Sequence, residues 1–248
     1  MSDVTNEAVN AAPLEPEIKR FDRRIIAEIA IVLGTMLGVK YFADKAELIG
    51  AGGIAIWCAI IVATIFMRQR SGSWRALGLT WPKTRREWLV TVGLSFAALL
   101  AAMLMMVFAV LVVGEAFGLS RPEEAPDRFA FFLGRPGVFL GYLLVVVWIG
   151  AALGEELLMR GFLMNRIADF FGHGAIGWTI ALVGHAVFFG SLHLYQGLLG
   201  MIGAGAIALA FGLIYLVSKR RLLPLVIGHG LMNTMSLTGY YLTDGAMT

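Results

Sequence analysis

Long apolar stretches alternate with short polar connections along most of this chain. Each stretch is close to the roughly 20 residues that an α-helix needs to cross a bilayer. The seven stretches are residues 25–42, 49–67, 88–113, 137–159, 175–193, 200–218 and 222–242. The pattern therefore predicts an all-α fold, a polytopic transmembrane helical bundle of about seven spans.

Basic residues mark every second connection along the chain. They precede the first stretch, dominate residues 68–87 against the single acid Glu87, and return at 160–169 and at 219–221. The intervening connections mix both charges or, at 194–199, carry none. Because Lys and Arg accumulate in cytoplasmic connections, this alternation puts the N-terminus in the cytoplasm and the C-terminus outside.

The composition agrees with a membrane protein. Hydrophobic residues make up 58% of the chain and charged residues 15%, with a mean hydropathy of +0.78. Soluble domains carry about 25% charged residues, so this chain has too few to cover a water-facing surface. We predict a multi-pass integral membrane protein, placed in the plasma membrane if the host is prokaryotic, with the lipid bilayer and no nucleic acid as a partner.

The chain divides into three regions. Residues 1–20 are polar and are predicted to form a disordered cytoplasmic tail. Residues 21–136 hold the N-terminal transmembrane helices with a basic cytoplasmic loop at 68–87. Residues 137–242 are the third region, and its apolar stretches carry several polar residues that a bilayer would disfavour.

Two adjacent carboxylates, Glu155 and Glu156, end the fourth stretch, and Arg160 follows. A single acidic residue at mid-bilayer costs roughly 2.5–3.5 kcal/mol, which indicates a function. Glu156 and Arg160 are four residues apart and share a helix face, so an ion pair is expected there. Glu155 is turned about 100° away and has no such partner, so it is the candidate for acid–base chemistry. Solvation of both acids at the cytoplasmic interface is the alternative.

Two further polar pairs follow at the same spacing of four residues. Phe189 and His193 share a face of the fifth stretch, and a neutral imidazole there can accept a proton from water or orient one. His229 and Asn233 share a face of the seventh, and both can donate hydrogen bonds without carrying charge. An interfacial histidine and interhelical hydrogen bonding are the structural alternatives. His185 is interpreted as a packing or supporting residue.

These three motifs in this order, Glu155-Glu156-x-x-x-Arg160, Phe189-x-x-x-His193 and His229-x-x-x-Asn233, closely resemble those of the CPBP family. This family comprises CAAX prenyl endopeptidases and bacteriocin-processing enzymes, and is also called the Abi family. The similar region covers about residues 137–235. The resemblance implies an all-helical intramembrane endopeptidase.

By this resemblance, Glu155 and His193 activate a water that attacks a peptide carbonyl, and His229 with Asn233 stabilises the oxyanion. Glu156, Arg160 and Phe189 would support the site. The resemblance allows both metal-free and metal-dependent chemistry. The chain lacks His-Glu-x-x-His, so we favour catalysis without a cofactor, with zinc on Glu155, His193 and His229 as the alternative.

The predicted spans leave the depth of His193 unexplained. If the fifth span begins near Ala175, His193 falls in the outer half of the membrane, away from Glu155. Either that span starts later, with residues 166–180 along the interface, or it is broken at Gly184 or Gly190.

Three functions fit the sequence. The first is an intramembrane endopeptidase acting on a membrane-associated protein or peptide, by CAAX-type or by leader- or pheromone-type processing. A small-solute or ion transporter would also keep buried Glu and His residues. A non-proteolytic scaffold or immunity protein of the same family is the third.

Overall fold

The computed structural model describes residues 21–120 and 129–245, and the predicted tail at 1–20 lies outside them. Within these ranges the chain is helical and contains no β-strand, so the all-α prediction is confirmed. Seven long helices follow one another: α1 Arg23–Lys45, α2 Ala51–Gln69, α3 Arg85–Phe117, α4 Pro136–Phe171, α5 Ala175–Ser191, α6 Gly197–Val217 and α7 Leu223–Leu242. Short 3-10 turns at Ala130–Phe132 and Leu194–Gln196 precede α4 and α6.

Five of these helices are long and apolar enough to cross a membrane: α1, α2, α3, α4, and α6 together with the turn before it. Helix α5 is apolar but shorter, with 17 residues. Large apolar side chains such as Ile31, Leu100 and Val187 are exposed on the outer faces of the bundle. Lipid chains would cover such a surface, which is far more apolar than the surface of a soluble monomer. The protein is therefore a polytopic helical membrane protein.

Helix α4 is longer than the sequence predicts. The sequence predicts its end at residue 159, because Arg160, Arg166 and Asp169 resemble the charges of a connection. This prediction is wrong, since the helix continues to Phe171 and all three charged side chains are buried. Each has a partner inside the protein: Arg160 pairs with Glu156, and Arg166 Nη1 donates to Asp169 Oδ2 at 2.7 Å. Internal pairing reduces the cost of carrying these charges within the bundle.

The extra length of α4 explains the depth of His193. Sixteen residues separate Glu155 from the end of α4, and eighteen separate the start of α5 from His193. Because α5 returns alongside α4, this hairpin brings Glu155 and His193 to similar depths. Both alternatives in the sequence analysis were wrong: α5 begins at Ala175 and runs unbroken through Gly184 and Gly190. The error lay at the end of the fourth span.

Charged side chains join three helices at one end of the bundle. Arg70, just after α2, lies 2.7 Å from the Glu28 carboxylate near the start of α1. Arg166, near the end of α4, approaches the same carboxylate at 3.3 Å. The predicted inside connections thus meet at one end. We call this the basic end, formed by residues 21–28, 68–84, 166–173 and 218–224.

Two hydrogen bonds join the basic connection at 218–222 and the end of α6 to the loop before α3. The Leu222 N–H donates to the Gly78 carbonyl at 3.0 Å, and the Tyr215 hydroxyl donates to the Leu77 carbonyl at 2.8 Å. Gly78 has φ +103°, and a Cβ atom there would lie 1.7 Å from the Arg220 carbonyl oxygen. Only glycine fits this close approach. The loop before α3 and the start of α7 therefore form one surface.

Aromatic rings close the opposite end of the bundle. Phe132 is fully buried at the centre of this cluster. Phe139, near the start of α4, stacks on Tyr241, near the end of α7, with ring centroids 4.4 Å apart. The other rings around Phe132 are Phe129, Phe131, Tyr142 and Tyr240. This aromatic end joins the start of α4 to the end of α7 through ring contacts.

Candidate active site

Glu155 and Glu156 lie where α4 is wound more widely than an α-helix. Residues Leu143–Glu155 and Leu157–Met164 form π-helical turns, whose N–H groups bond to carbonyls five residues back. Such turns are rare and occur frequently at functional sites. At Gly154 the helix passes so close to α2 that a Cβ atom would lie 2.8 Å from the Ile56 side chain. The two carboxylates are thus held in an unusual, closely packed segment.

The expected ion pair forms and is completely buried. Arg160 Nη1 lies 2.9 Å from Glu156 Oε1, and the two side chains are 1% and 0% exposed. Arg160 Nη2 also donates to the Ala208 carbonyl on α6 at 3.2 Å. The guanidinium lies 5.4 Å from the ring centroids of both Phe189 on α5 and Phe211 on α6. These cation–π contacts are strong because the guanidinium is shielded from water. Arg160 thus joins α4, α5 and α6 around Glu156.

His229 lies between the two carboxylates. Its Nδ1 is 2.9 Å from Glu156 Oε1, and its Nε2 is 3.9 Å from Glu155 Oε2. A carboxylate already paired with a guanidinium can only accept, so Nδ1 carries the ring proton. Nε2 of the neutral ring therefore holds a lone pair, and it donates only when the ring gains a second proton. The expectation that a neutral His229 donates to the substrate does not fit this contact, because its single ring proton is engaged by Glu156.

His193 is oriented by the helix that it follows. Its Nδ1 lies 2.9 Å from the Phe189 carbonyl oxygen, and the two rings are 4.8 Å apart. Since a carbonyl only accepts, Nδ1 carries the proton and Nε2 of the neutral ring has a free lone pair. The expected contact between Phe189 and His193 is therefore present, and it leaves His193 able to accept a proton.

Glu155 and Asn233 differ from the buried pair in being partly exposed. The Glu155 side chain is 19% exposed, and Asn233 is half-buried. Within residues 21–120 and 129–245, neither side chain makes a hydrogen bond. Both keep polar atoms free for a ligand. Glu155 also interacts electrostatically with His193 as well as His229.

The structure brings most of the predicted residues together. Glu156 touches Arg160 and His229, Arg160 touches Phe189, and Phe189 touches His193. Asn233 lies one turn after His229 on α7, and in the described part of the chain its side chain makes no hydrogen bond or ion pair with the other predicted residues.

The donors do not form a metal site in this arrangement. In the described ranges, no three His, Cys, Asp or Glu side chains are close enough to share a metal ion. Zinc needs three or four ligands at about 2.0–2.3 Å. Glu155, His193 and His229 do not form such a group here, and one nitrogen of His229 is bonded to Glu156.

Sequence reasoning undervalued His185. This side chain is fully buried, and its Nδ1 lies 3.2 Å from the Ala181 carbonyl oxygen. It precedes Phe189 by four residues, so the two share one face of α5, and this spacing could have placed it beside the site. Its Nε2 and Arg160 Nε are buried without a hydrogen bond among the described residues. No sequence signal pointed to Phe211.

Residues 137–235 match the family model of the Rce1-like type II CAAX prenyl endopeptidases. The matched region contains every predicted site residue: Glu155, Glu156, Arg160, Phe189, His193, His229 and Asn233. No curated protein and no solved structure matches the chain. The family match confirms the resemblance carried by the three motifs, and it supports a CAAX-type membrane protease at the level of the family.

Proposed function

We propose that this protein is an intramembrane endopeptidase that hydrolyses a peptide bond of a membrane-associated protein or peptide. The observation that carries the proposal is the contrast between two adjacent acids. Glu156 is fully buried and bonded to Arg160 and His229. Glu155 is partly exposed, has no hydrogen bond in the described part of the chain, and faces His229. A carboxylate kept free inside a membrane protein is suited to chemistry.

In the proposed reaction, Glu155 and His193 activate a water molecule. The water gives a proton to the Glu155 carboxylate while its oxygen bonds to the substrate carbonyl carbon. His193, whose Nδ1 is engaged by the Phe189 carbonyl, offers its Nε2 lone pair to orient the water. When the tetrahedral intermediate collapses, the C–N bond breaks and the proton passes from Glu155 to the departing amine.

In this proposal, residues of α7 stabilise the oxyanion that develops on the substrate. Asn233 offers an amide N–H that makes no hydrogen bond within the described ranges. Such a donor stabilises negative charge most when it is oriented before the reaction begins. His229 joins Asn233 in this role when its ring carries both protons, because Nδ1 is engaged by Glu156. Arg160 holds Glu156 in place for this contact.

We propose that the reaction proceeds without a resident metal ion. The support is that, among the described residues, no group of three His, Cys, Asp or Glu side chains could hold a metal ion. Purified protein should therefore keep its activity after exhaustive chelation and contain no stoichiometric metal. Zinc near one equivalent, with activity lost on removal and restored on addition, would contradict this part of the proposal.

The substrate is proposed only as a class, with both CAAX-type and leader- or pheromone-type peptides included. The decisive experiment compares membrane peptides from cells that express the wild-type protein, Glu155→Ala or Glu47→Gln. Glu47 is an exposed acid in the connection between α1 and α2, so it is a matched control. New peptide termini should appear with the wild type and with Glu47→Gln, and should be missing with Glu155→Ala. Identical peptides in all three samples would refute peptidase activity.

A further inference from the structure

A polar cavity opens at the basic end, away from the carboxylates of α4. It has a volume of about 570 Å³ and lies between the loop before α3, the first turns of α3 and the start of α7. Its polar lining consists of Arg75, Thr80, Lys83, Glu87, Thr91 and Arg221, and Trp81 lies at its rim. None of these residues belongs to the proposed catalytic site.

The lining has an excess of positive charge. Arg75, Lys83 and Arg221 face the cavity, and within the described ranges none of them forms an ion pair. Glu87 is the only acid among the lining residues, and its Oε2 already accepts from the Lys83 backbone N–H at 2.6 Å. Glu87 offsets only part of the charge of the three cations, so the lining keeps a net positive charge that suits an anion.

The surroundings of the cavity indicate that this anion belongs to a lipid. Trp81 is 71% exposed, and Trp residues prefer the level of the lipid headgroups. Farther along α3, the large apolar side chains Leu89 and Phe96 are exposed on the outer face of the bundle. Acyl chains could follow that face while a headgroup enters the cavity. Basic pockets between transmembrane helices on the cytoplasmic side commonly bind anionic headgroups.

We propose that this cavity binds the phosphate of an anionic glycerophospholipid from the leaflet at the basic end. The phosphate lies between Arg75 and Lys83 on one wall and Arg221 on the other. Those walls already meet through the hydrogen bond from Leu222 to Gly78. The bound lipid adds a second link between the loop before α3 and the start of α7, the helix that carries His229 and Asn233.

The backbone beside the cavity is consistent with a rigid binding wall. Lys219 and Arg220 adopt φ angles of 59° and 60°, which are uncommon for residues with a side chain. The turn that they form places Arg221 two residues before the start of α7.

Native mass spectrometry of the full-length protein tests the proposal by counting retained lipids. The protein is purified from mixed bilayers and titrated with phosphatidylglycerol or with neutral phosphatidylcholine. The test variant is R75Q/K83Q/R221Q. The control variant R23Q/R24Q/R68Q removes the same charge from exposed positions at the same end, outside the cavity.

We expect the wild type and the control to retain phosphatidylglycerol in preference to phosphatidylcholine. The cavity variant should lose this preference, with its affinity falling by about two orders of magnitude, because each basic residue near an anionic surface contributes roughly 1 kcal/mol. The thermal unfolding midpoint without added lipid should be alike in all three proteins, which excludes misfolding. If that midpoint falls, the single variant Lys83→Gln, at an exposed loop position, replaces the triple variant.

Two results would overturn the proposal. Equal loss of phosphatidylglycerol in the control variant would show that the whole basic end, and not this cavity, attracts anionic lipid. Binding of soluble glycerol 3-phosphate as tightly as the intact lipid would show a site for free phosphate. Both results concern binding alone, so they are independent of whether the protein is a peptidase.

Discussion

The site consists of two layers that differ in exposure and in bonding. In the buried layer, Glu156 and Arg160 are almost completely inaccessible, and their contacts reach α5, α6 and α7. In the accessible layer, Glu155, His193 and Asn233 are partly exposed and keep polar atoms free within the described ranges. His229 connects the layers, with one nitrogen bonded to Glu156 and the other facing Glu155.

The comparison shows how adjacent residues of the same type acquire different roles. Glu155 and Glu156 have identical side chains, and one helical step sends them into different surroundings. The buried acid is part of the packing that fixes His229, and the exposed acid can reach a substrate. Neither glutamate can therefore take over the role of the other, because each role depends on the side chains that surround its own position.

Removal of Arg160 should have the largest effect on the buried layer. The Arg160→Ala variant leaves Glu156 as an uncompensated charge, and breaking a buried pair in this way costs about 3–5 kcal/mol. The loss should appear as a large fall in the thermal unfolding midpoint in detergent. Arg23→Ala, at an exposed position, is the control and should leave the midpoint almost unchanged. An unchanged midpoint in Arg160→Ala would show that the buried layer is not structural.

Glu155→Gln tests the accessible layer with a nearly isosteric change. We expect turnover to fall by about 10²–10⁴-fold, the usual contribution of general acid–base catalysis, and the unfolding midpoint to stay near that of the wild type. Turnover is measured on a fluorogenic peptide in proteoliposomes, with Glu47→Gln as the control. Near-normal turnover in Glu155→Gln would remove the distinction between the layers.

Asn233→Ala tests whether α7 donates to the oxyanion. Loss of one such donor typically lowers turnover by about 10²–10³-fold, with little change in substrate affinity. The control is Ser236→Ala, an exposed position on the same helix. If Asn233→Ala instead lowers the unfolding midpoint while turnover per folded molecule is preserved, Asn233 belongs to the packing.

A smaller effect is expected at Gly212, which packs on His185 beside the buried layer. A Cβ atom at Gly212 would lie 2.5 Å from Leu182 Cδ1 and 2.7 Å from His185 Cε1. Gly212→Ala should therefore destabilise the protein by about 1–3 kcal/mol, the usual cost of overpacking. Gly34→Ala, where nothing lies within 4 Å of the added atom, is the control and should be neutral or slightly stabilising. Equal effects of the two variants would mean that packing on His185 is loose.

Local patterns in the sequence predicted the features that depend on nearby residues. Apolar length predicted the helices, and a spacing of four residues predicted the contact of Glu156 with Arg160 and that of Phe189 with His193. The end of α4 was missed because Arg166 is buried by a partner, Glu28, that lies 138 residues earlier in the chain. Residue spacing cannot reveal a partner at that distance.

Distance along the sequence also determines which parts of the site could be predicted. Glu156 and His229 are 73 residues apart, so no periodicity joins them, and the family resemblance alone suggested a shared site. The bond itself, and the proton position that it fixes on His229, required the fold. The aromatic end was missed because Phe139 and Tyr241 belong to helices far apart in sequence, and single aromatic residues are common in membrane spans.

The hydrogen bond from Tyr215 to Leu77 has a consequence for folding during synthesis on the ribosome. The two residues are 138 positions apart. At a translation rate of about 5–20 residues per second, Tyr215 is therefore synthesised roughly 7–28 s after Leu77. The loop before α3 must pass that interval without the contact that closes it. Partly synthesised chains should therefore expose this loop to added protease, and protection should begin only after α6 has left the ribosome.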